Sequence, residues 1–295
     1  MRTSSLIAVA AAAVASWGCG MHQEPVVQPP GIQAVRTVVL NGHALRVHAA
    51  DTRVSDCEKR PLVVYTTGDR GWAGKDLEVY RRVVEWGYPV AGVDAHDYVK
   101  HLGGSGTTTA ARVASDYNAI IGAARAALGM EESVPVVLLG VSRGADLSVV
   151  AAGQEQVREH LRAVIAVALT REEEYVKRHR HTPPSGTAPD GVPQASAADI
   201  VQLYAYLPRL HDVPITVIQS THDKYLPADQ ARVLFGPDTA LRHFIAIDAR
   251  NHSFAGARDQ LYTAMHDALE HAETAMRPGD GSDASIVCSA ETRPR

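Results

Sequence analysis

Val134-Pro135-Val136-Val137-Leu138-Leu139-Gly140-Val141-Ser142-Arg143-Gly144-Ala145-Asp146 is the stretch whose reading decides the fold. Residues 136–139 are all apolar and read as a buried strand. Gly140 to Gly144 form a G-x-S-x-G pentapeptide, and residues 145–152 read as a helix. A strand turning straight into a helix around such a pentapeptide is a nucleophile elbow. Its central side chain sits at the tip of a tight bend, and glycines two positions away leave the room this bend needs. The Ser142 hydroxyl then projects past the carboxyl edge of the sheet. The Arg143 N–H, at the helix N-terminus, faces any oxyanion formed there. In an alanine-rich chain the pentapeptide alone also fits a strand–helix turn with an incidental serine, so the flanking elements carry the decision.

Outward from the elbow, strand and helix alternate. Strands are expected over residues 62–67, 90–94, 161–169, 215–219 and 243–247. Helices are expected over 76–86, closed by Gly87, over 108–128, closed by Gly129, and over 256–276. Repeated β-α-β units demand a mostly parallel, twisted sheet with helices on both faces, an α/β fold. Ligands of such sheets lie beyond the carboxyl ends of the strands, where the elbow puts Ser142. A hairpin precedes the series, with strands 35–40 and 44–49 joined at Asn41-Gly42, a pair favoured in tight hairpin turns. The folded domain is thus expected over 35–277.

Composition agrees with one large soluble domain: 295 residues, 45% hydrophobic and 21% charged. A net charge of −4 gives no electrostatic footprint for nucleic acid. No interior apolar run reaches membrane-spanning length. Residues 1–20 read as an export signal, with Arg2 before an apolar stretch at 6–15. Ala13-Val14-Ala15 suits ordinary signal peptidase. Ser16-Trp17-Gly18-Cys19 resembles a lipobox, in which Cys19 would carry a lipid anchor; Ser16 and Trp17 fit that pattern poorly. Both readings imply export, and the anchor would bring membrane association. Residues 21–34 read as a proline-rich tether. In an oxidising compartment Cys57 and Cys288 can pair and pin the tail, 278–295, to the body. The other reading leaves two unpaired thiols.

A serine hydroxyl needs a positioned base, usually a histidine oriented by a carboxylate. Of the 14 histidines, His252 lies in the loop between the last strand and the last helix, on the rim shared with the elbow. Asp223 lies in the loop after the strand at 215–219. The chain order Ser142, Asp223, His252 is that of hydrolases built around this elbow. Asp248 is the fallback acid. A second oxyanion donor is expected from the loop Thr66-Thr67-Gly68-Asp69-Arg70-Gly71-Trp72, as the N–H of Asp69 or Arg70. Trp72 is a candidate for substrate contact or a core anchor, and Asp146 reads as a carboxylate complementing the helix dipole. No metal set or cofactor motif is evident; His179 and His181 lack matching partners.

Gly68-Asp69-Arg70-Gly71-Trp72, Pro89-Val90-Ala91-Gly92-Val93-Asp94, the elbow continuing into Asp146, and Asn251-His252-Ser253-Phe254 together resemble an α/β-hydrolase. More narrowly they resemble the bacterial virulence protein family typified by VirJ and AcvB, over residues 62–270. That resemblance implies an exported serine hydrolase, with AcvB-type members implicated in cleaving aminoacyl groups from phosphatidylglycerol. Arg70 and Arg143 depart from the smaller or apolar residues expected there, making the pocket entrance more basic and Arg143 a candidate for substrate contact.

Residues 171–199 form an insertion, read as a cap. Glu173 with Lys177 and Glu174 with Arg178 sit four apart, as on a solvated helix. The basic run at 177–181 would attract phosphate head groups. The expected activity is cleavage of a small or lipid-like carboxylic ester through an acyl-enzyme. A serine peptidase and a non-catalytic periplasmic binding or secretion-associated protein are the alternatives. Substrate identity and oligomeric state have no signature in the chain.

Overall fold

The computed structural model describes residues 31–40, 42–52, 60–100, 108–177 and 200–274. The export signal, Cys19, Cys57, Cys288, most of the tether and of the insertion, and the tail lie outside the described residues.

In chain order the strands are β1 (Ala34–Leu40), β2 (His43–Ala50), β3 (Leu62–Thr66), β4 (Val90–Val93), β5 (Thr108–Thr109), β6 (Val136–Val141), β7 (Leu161–Val167), β8 (Glu172–Lys177), β9 (Ile200–Gln202), β10 (Ile215–Ser220) and β11 (Arg242–Ile247). The helices are α1 (Lys75–Glu85), α2 (Ala95–Lys100), α3 (Ala110–Leu128), α4 (Arg143–Ala152), α5 (Glu155–Arg158), α6 (Leu203–Tyr206), α7 (Ala228–Phe235) and α8 (Arg258–Thr274).

The main sheet has eight strands in the order β1-β2-β4-β3-β6-β7-β10-β11. β1 and β2 form the antiparallel hairpin, in register from Ala34 opposite Ala49 to Leu40 opposite His43. β2 then lies antiparallel beside β4. From β4 onward every pairing is parallel. This is the α/β-hydrolase architecture. Every residue of β6 is buried, as a central strand covered on both faces must be. Alternate residues serve opposite layers: Leu138 packs with α3 and α4, Leu139 with α1 and α8. Each such side chain contributes about 1.5–3 kcal/mol on leaving water.

α3 begins at Ala110 because Thr108 and Thr109 are taken by β5, and Thr109 then caps the helix, its Oγ1 accepting from the Arg112 N–H at 3.2 Å. Gly129 ends the helix in the left-handed conformation, φ 59°.

The charged start of the insertion is not a helix. Glu172–Lys177 is β8, parallel to β5 and antiparallel to β9 in a second, three-stranded sheet. The spacing of four that favours a helix is overridden by the burial of Glu173 and Val176. Glu173 is fully buried against Arg143, while Glu172 and Glu174 on either side are exposed.

Candidate active site

The elbow is built as a tight strand–helix turn. Ser142 is the N-cap of α4 with φ 54° and ψ −119°, a backbone state that costs a non-glycine residue about 1–3 kcal/mol. Its N–H donates to Val167 O at 2.8 Å, and its carbonyl accepts from Ala145 N and Asp146 N. The flanking glycines are required by contact. A Cβ on Gly140 would lie 2.2 Å from Gly144 O, and one on Gly144 would lie 2.1 Å from Thr66 O.

Three residues far apart in the chain meet at this rim. His252 Nε2 lies 2.8 Å from Ser142 Oγ, and His252 Nδ1 lies 2.6 Å from Asp223 Oδ2. A buried carboxylate facing Nδ1 fixes the tautomer that carries its proton there. Nε2 is then left as an acceptor for the serine hydroxyl. The loop holding His252 is stiffened by its own bonds: Asn251 Oδ1 accepts from Ser253 N at 2.9 Å, and Phe254, fully buried, anchors the next turn.

Asp223 is held by groups that the sequence did not single out. The buried Gln219 donates through Nε2 to Asp223 Oδ2 at 3.1 Å and to Leu226 O at 2.6 Å. The Tyr225 N–H donates to Asp223 Oδ1 at 2.9 Å, and the Tyr225 ring stands edge-on to His252, centroids 4.8 Å apart. Gln219 is the next-to-last residue of β10, and nothing in its local pattern marks it. Asp248 is placed elsewhere: it is exposed and accepts from Thr221 Oγ1.

The loop after β3 passes directly beside the elbow. Gly68 donates its N–H to Asp76 Oδ1 at 2.9 Å, and the Tyr65 hydroxyl donates to the same oxygen at 2.7 Å. Burial pushes the Asp76 carboxyl above its ordinary range, against the pull of those two donors. Asp69 and Arg70 line the cleft beside Ser142. Trp72 does not line that cleft. It is buried, stacked edge-on against Tyr80 and His48 and pressed onto Gly92, where a Cβ would meet its ring at 2.4 Å. Its role is that of a core anchor; the flat ring fills the space that Gly92 vacates.

The Arg143 guanidinium spans two partners. Its Nε donates to Asp69 Oδ1 at 2.9 Å and its Nη1 to Glu173 Oε1 at 2.7 Å. Burial works against the charge, but Glu173 and then Asp69 outweigh it and raise the pKa. Arg143 therefore braces the loop after β3 against β8, and it lines a second cleft as well. Asp146, read from sequence as a dipole partner, is also fully buried. It accepts from Thr170 N at 3.0 Å and Thr170 Oγ1 at 2.8 Å. Burial, then the charge of Glu173, holds its carboxyl well above the usual range.

Two clefts flank Ser142. One, of about 770 Å³, is walled by the loop after β3, the first turn of α1, Lys224-Tyr225 and the His252 loop. The other, of about 430 Å³, is walled by Asp69, Arg143, Asp146, residues 170–172, Glu174 and Tyr225. Among the described residues, His266, Asp267 and Glu270 on α8 can bring three metal-type donor atoms within 4.8 Å of one another. None of the three lines either cleft.

Residues 61–182 match the family described as bacterial virulence protein (VirJ). No curated protein sequence matches the chain. Solved structures share its fold. Est1E from Butyrivibrio proteoclasticus superposes with a TM-score of 0.57 at 16% identity, covering 81% of this chain and 98% of its own. The 2,6-dihydroxy-pseudo-oxynicotine hydrolase gives 0.56 at 16% identity, over 86% of this chain and 72% of that one. Esterase 2 of Thermogutta terrifontis gives 0.54 at 14% identity, over 83% and 96%. The chain thus has the α/β-hydrolase fold and resembles VirJ across residues 61–182, the stretch that contains the elbow.

Proposed function

We propose that this protein is an exported serine hydrolase that cleaves a carboxylic ester, with Ser142 as nucleophile, His252 as general base and then acid, and Asp223 as orienter. The observation that carries the reading is the continuous hydrogen-bonded chain from Ser142 Oγ through both ring nitrogens of His252 to Asp223.

In the first half-reaction the Ser142 oxygen attacks the ester carbonyl carbon as its proton passes to His252 Nε2. The carbonyl electron pair moves onto oxygen. The Arg143 N–H and an N–H from Asp69 or Arg70 receive that oxyanion. Asp223 stabilises the imidazolium. Collapse of the intermediate breaks the ester C–O bond, and His252 returns its proton to the departing alcohol. Water then repeats the sequence on the acyl-serine, releasing the carboxylic acid and restoring the Ser142 hydroxyl. Clefts on both sides of Ser142 leave room for substantial groups on each side of the bond cut, which suits a lipid-like ester. Export rests on the arginine-led apolar segment at 1–20, and a lipid anchor on Cys19.

A fluorophosphonate probe tests the activity. The wild-type chain should label at Ser142 and Ser142→Ala should not. A folded wild-type protein that never labels, and that hydrolyses no short-chain ester, would refute it and favour a hydrolase-like binding protein. Mass spectrometry of the mature protein tests the anchor: an N-terminus at Ser16 would exclude lipidation of Cys19.

A further inference from the structure

Two carboxylates pin the loop after β3, one at each end. Gly68 O accepts from Gly71 N at 3.0 Å, which closes a turn with Asp69 and Arg70 at its tip. Behind the turn, Asp94 Oδ2 accepts from Trp72 N at 3.2 Å, and a Cβ on Gly71 would lie 2.3 Å from that carboxylate. In front, Asp76 Oδ1 accepts from Gly68 N at 2.9 Å and from the Tyr65 hydroxyl at 2.7 Å. The front end is the one that meets the elbow. A Cβ on Gly68 would lie 3.4 Å from Val141 O and 3.6 Å from Ser142 Cβ. Asp69 and Arg70 line the larger cleft beside Ser142, and among the described residues their N–H groups have no main-chain acceptor.

Asp76 belongs to a different element from the loop it holds. It sits in the first turn of α1, where a carboxylate ordinarily serves the helix's own positive end. Gly74, the N-cap of α1, supplies no side-chain cap, yet the Asp76 carboxylate reaches away from the helix to Gly68. Asp76 is 2% exposed. Burial disfavours a charge there and keeps the carboxyl above its ordinary range, even with two donors on one oxygen. The Gly68 N–H is taken by this bond and is no oxyanion donor itself. What the bond supplies is the position of the next two N–H groups. Oxyanion donors act by being fixed before the charge develops, and their supports must hold them within about 0.5 Å.

We propose that Asp76 is a positioning residue for hydrolysis at Ser142: by holding Gly68 it sets the turn 68–71, whose tip N–H groups receive the oxyanion. The proposal rests on the esterase reading for the reaction, and on the contacts of Asp76 for the brace. Asp76 acts through the main chain, one residue removed from the donors. Without its acceptor, the Gly68 N–H and the Tyr65 hydroxyl are left unsatisfied in a buried place, and the turn is freed to shift. The loss is felt where charge builds up rather than where substrate first binds, so it falls on kcat and not on KM.

Three variants of the full-length chain test the assignment. Asp76→Ala should lower kcat for a short-chain p-nitrophenyl ester about 10²-fold, with KM within about twofold. It should weaken a trifluoromethyl ketone by the same factor. Ser142 Oγ adds to the carbonyl carbon of that inhibitor, the proton passes to His252, and the former carbonyl oxygen becomes the anion. Asp76→Asn keeps a neutral oxygen acceptor for Gly68 and should stay within about fivefold of wild-type kcat. Asp116→Ala is the matched control. Asp116 is also 2% exposed and accepts from a tyrosine hydroxyl, Tyr98, at 3.0 Å, but lines neither cleft. Parallel losses of kcat and ketone affinity in Asp76→Ala, rescued in Asp76→Asn and absent in Asp116→Ala, support the assignment. A folded Asp76→Ala protein with wild-type kcat, a loss confined to KM, or an equal loss in Asp116→Ala overturns it. Amide hydrogen exchange gives a reading independent of turnover and of whether Asp76→Ala folds. Exchange in the peptide 66–72 should be faster in Asp76→Asn than in wild type, with 134–146 unchanged; equal exchange in 66–72 overturns the brace. A wild-type chain that never labels with a fluorophosphonate and cleaves no ester overturns the esterase reading and, with it, the catalytic part of this assignment, while exchange still decides the brace.

Discussion

Gly144→Ala is the sharpest probe of the elbow. A Cβ at this position would lie 2.1 Å from Thr66 O and 2.5 Å from Thr67 O, both backbone atoms that cannot swing aside. Ordinary contact begins near 3.4 Å, so α4 and the end of β3 must part by about 1.3 Å. Overpacking of this kind costs about 1–3 kcal/mol in stability. The larger effect falls on chemistry. Gly144 is two residues from Ser142 and adjoins Arg143, and the strand end it displaces leads into the loop proposed to carry the second oxyanion donor. Active groups must be held within about 0.5 Å of their working geometry, and a displacement near 1 Å can cost about 10²-fold in rate. Hydrolysis of a short-chain p-nitrophenyl ester should therefore fall at least about 10²-fold in kcat/KM, while urea unfolding followed by circular dichroism shifts modestly. Gly122→Ala on α3 is the control, because nothing lies within 4 Å of its Cβ position and alanine favours a helix interior by up to about 1 kcal/mol. Wild-type turnover in a folded Gly144→Ala protein would refute the idea that this contact sets the site.

Ser142→Ala should lower ester turnover by at least about 10³-fold, with a change in stability within about 0.5 kcal/mol; parallel activity and urea measurements check both. Gln219→Leu removes a donor to the Asp223 carboxylate, a bond of about 1.5–3 kcal/mol, so kcat should drop while KM stays near wild type; an unchanged kcat would show that Asp223 needs no such support. Asp146 has its folded-state pKa raised by burial and by Glu173. Such a carboxyl favours the fold below its unfolded pKa and loses that contribution as pH rises from there. Asp146→Asn should consequently gain stability relative to wild type between pH 4.5 and pH 8, read as the difference in urea midpoints, and a flat difference would sink the assignment. Arg143→Met strips the partner from buried Glu173 and should cost about 3–5 kcal/mol, with the deficit growing as pH rises, because the unpaired carboxylate must then be charged inside the protein.

The alternation of strands and helices was legible because each buried strand is a short apolar run closed by glycine or loop residues, as at Val90–Val93 and Ile215–Ser220. Chain order and loop position single out Ser142, Asp223 and His252, the three side chains whose polar atoms meet. The helix expected from Arg171 onward fails for a tertiary reason. The Glu173–Lys177 spacing is a local signal, whereas Glu173 is drawn inward by an arginine 30 residues earlier. For Trp72 the sequence left substrate contact and core anchor both open, and the missing side chain at Gly92 decides for the core; Gln219 was opaque, because its position depends on a carboxylate four residues further along the chain.

Arg143 contributes in two directions at once: its main chain faces the bend at Ser142, and its side chain grips β8 through Glu173. The protein thereby has a mechanical linkage in which any displacement of β8 reaches the backbone beside Ser142. A substitution in β8 that shifts Glu173 can therefore change the speed of the reaction from a distance.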